Sequence, residues 1–184
     1  MKILSFIGPS GTGKGTQASL FKNLGFDIIS GGEILRSLYE LKTKEGIELF
    51  EKYWSKGIWV PDDIILKLIF DSINFKQKRD LILDACPRTL NQAILLDKFL
   101  FLNNQKLEYV FEFKLSKEII LERIKNRKIK EKRKDDISLS VIEKRLLEYS
   151  KNIPEIESYY KERLVYIDAS IDKSIIFDII ANKI

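Results

Sequence analysis

The chain opens with five mostly apolar residues, Ile3–Ile7, that run into Gly8-Pro9 and the spacing Gly8-x-x-x-x-Gly13-Lys14, after which the pattern turns helical. A short buried strand, a glycine-rich turn and a helix start in direct succession leave few folds open. Backbone N–H groups in such a turn point outward with those of the helix N-terminus, where the dipole is positive, so the segment is suited to hold an anion. Gly11, Gly13 and Gly15 take side chains away where a polyphosphate must approach the backbone, and Lys14 is placed to bridge its distal phosphates. A glycine-rich turn without chemistry is the bland alternative; the strand before it and the helix after it weigh against that. Gly15, not Ser or Thr, follows Lys14, which displaces the hydroxyl that would face a magnesium ion to Thr16.

The rest of the chain alternates between strand and helix patterns. Residues 26–29, 81–83, 109–113 and 164–167 read as four further strands, the third strand of the chain ending in Asp84. Helical spacing covers 13–23, a stretch from Ser30 or Gly31 carrying Ile34, Leu35 and Leu38, and 41–53 up to a break at Lys56-Gly57. It resumes after Pro61 with Ile64, Ile65, Leu68 and Ile69, and recurs at 89–102, 118–126, 141–163 and 172–184. Pro154 is expected to kink or break its helix. This alternation predicts an α/β domain, a five-stranded parallel sheet with helices on both faces and ligands at the carboxyl ends of the strands; taken with the Gly8-x-x-x-x-Gly13-Lys14 loop, it resembles the P-loop NTPase class. Residues 127–136, charged at every position but Ile129, cannot be core and read as a solvated loop or a flap over phosphates.

Composition narrows the chemistry. The 184 residues fit one domain, and a net charge of +5 admits nucleic acid or small polyanions as partners. A single cysteine, Cys86, rules out an internal disulfide, and with no histidine there is neither a zinc cluster nor an imidazole base. The apolar run at the start is too short for a signal-peptide core or a membrane span, which points to the cytoplasm.

Lys14-Gly15-Thr16-Gln17 resembles the nucleoside monophosphate kinases, and the adenylate kinase family in particular. Ser30-Gly31-Gly32-Glu33-Ile34-Leu35-Arg36 is similar to the family's S-T-G-D-x-L-R segment, and Asp84-Ala85-Cys86-Pro87-Arg88-Thr89-x-x-Gln92 to D-G-F-P-R-T-x-x-Q. Arg123-x-x-x-Arg127, Arg133-Lys134-Asp135-Asp136 and Arg145-Leu146 follow in the order of the family's lid segments.

The resemblance implies Mg²⁺-dependent phosphoryl transfer from ATP to AMP, a monomer, and neither nucleic-acid nor membrane partners. It assigns Gly11, Thr12, Gly13, Lys14, Gly15, Thr16, Arg123, Arg127 and Ile171 to ATP. Gly31, Arg36, Ile58, Trp59, Val60, Ala85, Arg88, Gln92, Arg133 and Arg145 go to AMP, with Lys14, Arg88, Arg123, Arg133 and Arg145 catalytic. Thr16 and Asp84 would hold Mg²⁺, Asp84 through a water. Residues 30–59 would be a monophosphate-binding insertion and 127–137 a short lid. The arginines make chemical sense, since planar, permanently charged forks relieve the repulsion between two polyanions.

Three segments depart from the family pattern. Gly31 replaces threonine, as in uridylate and cytidylate kinases; Ala85-Cys86 replaces Gly-Phe; and Ala169 replaces the glycine of a D-G-[ST] turn. AMP is the expected acceptor, with a UMP/CMP kinase as the alternative. A basic, nucleotide-gated nucleic-acid binder is the reading from a different class, although no basic stripe interleaved with aromatic residues supports it.

Overall fold

The computed structural model describes residues 1–131 and 138–184, with side chains throughout except at 127–131. Five parallel strands, β1 (Ile3–Ile7), β2 (Asp27–Ser30), β3 (Leu81–Asp84), β4 (Tyr109–Lys114) and β5 (Leu164–Asp168), lie in the order β2-β3-β1-β4-β5. This is the predicted α/β sheet. Both faces are buried, which is why the strands read as near-continuous apolar runs.

Alternate residues divide between two cores. Ile3, Ile7, Leu81, Leu83 and Val110 face α4 (Asp62–Asp71), α5 (Leu90–Leu102) and α7 (Leu139–Tyr159). Leu4, Phe6, Ile82, Phe111 and Phe113 face α1 (Lys14–Lys22) and α8 (Lys173–Ala181). Fully burying each of these side chains contributes roughly 1.5–3 kcal/mol.

Between β2 and α4 lie α2 (Gly31–Glu40) and α3 (Lys44–Lys52), which share a small core of Leu35, Leu49 and Val60. The stretch expected to be helical over 41–53 begins later: Lys42 takes φ 53, and Thr43 caps α3 by accepting a hydrogen bond from Gly46 N at 2.9 Å. That turn lets the two helices cross at Gly46, where a Cβ would sit 2.3 Å from the Leu38 carbonyl carbon.

Two further expectations are corrected. α7 runs unbroken through Pro154, held by Ile153 and the fully buried Ile156 against the main core, and it ends at Tyr159 rather than 163. Tertiary packing there outweighs the missing N–H. The charged stretch 127–136 is not wholly loop, because the backbone of α6 (Lys117–Glu131) carries its first half.

Candidate active site

The loop between β1 and α1 crosses the carboxyl ends of the central strands. At Gly8, φ is 140, and a Cβ would lie 2.7 Å from the Phe113 carbonyl oxygen, so the chain can leave β1 alongside β4 only with glycine there. Gly13 forms the N-cap of α1 without a side-chain bond. Lys14 is buried, and its Nζ donates to Pro9 O at 2.7 Å and to Thr12 Oγ1 at 3.4 Å. The ammonium therefore lies across the loop it follows.

Beside this loop opens a cleft of about 1100 Å³, part of it open to solvent. Of the residues expected to bind a monophosphate, Gly31, Arg36, Trp59, Val60, Ala85, Arg88, Gln92 and Arg145 line it, together with Gly8, Pro9 and Ser10. The guanidinium of Arg88 donates from Nε to Ala85 O at 3.1 Å and stands 5.6 Å from the Trp59 ring centre. Burial lowers Arg88 from its ordinary value, with Arg36 adding like charge and the Asp84 carboxylate opposing. Arg145 reaches the cleft from α7 and donates from Nη2 to Trp54 O at 2.9 Å.

At Gly31 an added Cβ would meet Ile65 Cδ1 at 3.2 Å and Ile69 Cδ1 at 3.4 Å, so a threonine there must displace two flexible side-chain ends. Ala85 holds φ 60, a left-handed backbone that favours the glycine of the family pattern. Ala169 is buried and is not among the positive-φ residues, so its turn does without glycine.

Gln92, 3% exposed, is held at both ends of its amide. Its Oε1 accepts from Arg88 N at 2.8 Å, and its Nε2 donates to Asp62 Oδ1 at 2.7 Å. Asp62 Oδ2 accepts from Thr89 Oγ1 at 2.8 Å and from Asn91 Nδ2 at 2.9 Å. Asp62 lies in the first turn of α4, where an acidic residue is commonplace and carries no signal of such a role.

Asp84 ends β3, paired with Phe6 of β1 and Ser30 of β2. Its Oδ1 is buried with no hydrogen-bond partner among the described residues. A hard cation, or a water bound to one, fits such a carboxylate oxygen. Thr16 is exposed on the first turn of α1. No group of three or more His, Cys, Asp or Glu suited to a metal is gathered among the described residues.

A second buried carboxylate was not foreseen. Glu112, 3% exposed, sits on β4 and accepts from the Tyr149 hydroxyl at 3.3 Å. Burial and the adjoining Glu157 carboxyl push its pKa up to about 7, against a weaker pull from Lys114. Lys114 Nζ bonds Glu157 Oε1 at 2.8 Å and lies over the Tyr166 ring at 3.9 Å. Tyr149 also lines the cleft, and its phenol is raised first by burial and then by Glu112.

Several expected residues are not drawn into the cleft. Ile58 is 49% exposed, Arg123 is half-buried on α6, and Ile171 packs against the core beside α8. The Arg127 side chain and Arg133, with most of the lid 127–137, lie outside the described residues. No helix among the described residues is long and apolar enough to cross a membrane. Cys86 is buried, its thiol pushed up to about 12 by burial, which removes it from chemistry.

The sequence model of the family described as adenylate kinase matches residues 6–165. The chain is 37% identical over 171 residues to an adenylate kinase of Mycobacterium tuberculosis, covering 92% of this chain and 91% of that one. It is 32% identical over a 209-residue alignment to an adenylate kinase of Wolbachia pipientis, with 99% and 97% covered. To adenylate kinase 1 of Synechocystis sp. it is 38% identical over 164 residues, with 88% and 84% covered.

Proposed function

The chain belongs to the adenylate kinase family, and from that premise we propose that it transfers the γ-phosphoryl group of ATP to AMP, giving two molecules of ADP. The observation that carries this reading is the convergence of Arg36, Arg88 and Arg145 on one cleft that opens onto Gly8-Pro9-Ser10 of the phosphate loop. Three guanidinium groups from three separate elements suit an acceptor phosphate next to a triphosphate.

In this reading the loop N–H groups and Lys14 hold the triphosphate, moving Lys14 Nζ from Pro9 O to a phosphate oxygen. Arg36 and Arg88 orient the AMP phosphate so that one of its oxygens faces the γ-phosphorus. That oxygen bonds to phosphorus as the bond to the β,γ-bridging oxygen breaks, and Arg145, with Arg123 and Arg133, balances the charge on the moving group. No protein nucleophile or imidazole base is needed. Thr16 and, through water, the orphaned Asp84 oxygen would hold Mg²⁺, which would supply charge neutralisation for the phosphates.

Residues 30–59 form the acceptor-binding unit in this proposal, and 127–137 the lid that excludes water. Trp59, Val60 and Gln92 meet the acceptor base. The protein works as a monomer in the cytoplasm, where both nucleotides are abundant.

An acceptor panel at fixed Mg-ATP tests the reading. ADP formation should be fastest with AMP, slower with CMP and UMP, and negligible without a monophosphate. A preference for CMP or UMP would move the chain to the pyrimidine kinases. Salt-sensitive oligonucleotide binding without transfer would replace the enzyme with a nucleic-acid binder.

A further inference from the structure

The hydrogen bonds around Gln92 permit only one orientation of its amide. A backbone N–H can only donate and a carboxylate can only accept, so Oε1 must face Arg88 N and Nε2 must face Asp62, as observed at 2.8 and 2.7 Å. Flipping the amide would set oxygen against the carboxylate and N–H against N–H. Asp62 cannot turn away to relieve this, because its other oxygen is held by Thr89 Oγ1 at 2.8 Å and Asn91 Nδ2 at 2.9 Å.

An amide has two N–H groups and two lone pairs. The two bonds described consume one of each, leaving one N–H and one lone pair, of fixed polarity, on a side chain that lines the cleft. That pair complements a base edge with an acceptor ring nitrogen beside an amino group, as adenine and cytosine present. It mismatches an edge with a ring N–H beside a carbonyl, as in uracil, guanine and hypoxanthine. A freely rotating glutamine would accept either class by flipping.

We propose that Asp62 is a specificity-determining positioning residue: by locking the Gln92 amide, it makes the acceptor site select amino bases over oxo bases. The proposal rests on the reading that Gln92 meets the acceptor base. It adds that the discrimination is imposed from α4 by a residue that does not line the cleft. Uracil is excluded by polarity on this account, whereas cytosine is excluded only by size.

AMP and IMP make the cleanest probe, since their bases match in size and differ in the polarity of one edge. The unmodified protein should favour AMP over IMP by about 100-fold or more in kcat/KM, because the wrong edge leaves two buried groups unpaired. In Asp62→Asn the carboxamide can keep its oxygen on Thr89 and Asn91 and turn its Nδ2 to Gln92, leaving Arg88 N as the one contact that still opposes a flipped amide, so the AMP-to-IMP ratio should fall at least about tenfold, mainly through a lower KM for IMP. Gln92→Leu should abolish the ratio, and Asp62→Asn added to it should change the ratio no further, since Asp62 acts through Gln92. Asp62→Ser, also able to donate or accept, serves if the asparagine variant does not fold.

A ratio unchanged within about twofold in Asp62→Asn, or an effect that persists in the Gln92→Leu background, overturns the proposal while leaving the kinase reading intact. An unmodified protein that uses AMP and IMP equally also overturns it. If the protein phosphorylates no monophosphate at all, the proposed function itself fails.

Discussion

Tyr149 on α7 donates its hydroxyl to the Glu112 carboxyl on β4 at 3.3 Å, one helical turn beyond Arg145 on the same helix. With a spacing of four, the two side chains leave one face of α7, so the bond that ties the helix to the sheet also sets where Arg145 enters the cleft. Glu157, further along α7, closes the arrangement through Lys114. The sheet thus holds α7 through an acid that keeps its proton to about pH 7.

This acid gives folding a pH dependence of definite sign. In the folded chain Glu112 titrates near 7, against 4.5 for an ordinary glutamate, so the folded state binds the extra proton between those values. Its stabilising contribution is complete below about 4.5 and is lost as the pH rises to about 7. Glu157, where burial is outweighed only by Lys114, Glu112 and Tyr166 acting together, is held low and acts in the opposite direction. Melting temperatures of the parent and Glu112→Gln, measured from about pH 5 to 8, should converge or cross as the parent loses stability. Parallel curves would show that Glu112 titrates normally.

Ala85→Gly should stabilise the protein. The left-handed φ of 60 at Ala85 costs a side-chain-bearing residue about 1–2 kcal/mol, and glycine removes that cost while loosening the unfolded chain by a few tenths. A net gain of about 1 kcal/mol raises the melting temperature by roughly 2–4 °C. A drop in melting temperature would mean that the methyl group packs usefully at the cleft wall.

Gly57→Ala should damage both stability and acceptor binding. Gly57 has φ 74, and a Cβ there would stand 2.8 Å from the Val141 carbonyl oxygen on α7. Strain and overpacking together cost about 2–4 kcal/mol. The same displacement pushes the Trp54 carbonyl away from Arg145, 2.9 Å from it in the parent. Equilibrium denaturation and the KM for AMP should change together; an unaltered KM would separate this contact from the acceptor site.

Lys14→Met should lower kcat/KM by about 10²–10³, the scale for losing one preorganised charge contact to a transferring group. Stability should fall by only about 1–3 kcal/mol, from the bond to Pro9 O at 2.7 Å. A loss of activity no larger than the fraction unfolded would remove Lys14 from the chemistry.

What could be read in the chain depended on how local the signal was. Each strand was recognisable because both faces of the sheet are buried, and Thr89 and Asp172 marked helix starts because they cap their own first turns. Pro154 does not break its helix because its local effect is outweighed by the packing of Ile153 and Ile156 against a core whose other residues lie mostly far along the chain. Arg36, Arg88 and Arg145 were legible as motif residues, yet only the crossing of three elements brings them to one cleft.

By itself the sequence determined the phosphate loop, the parallel sheet and the arginines available to an anion, since each rests on residue types within a few positions of one another. The tertiary structure alone decided the polarity of Gln92 and the protonation of Glu112. Asp62 and Gln92 are 30 positions apart, and Glu112 and Tyr149 are 37 apart. Hydrogen-bond direction and desolvation are properties of what surrounds a group in space, and neither has a period along the chain.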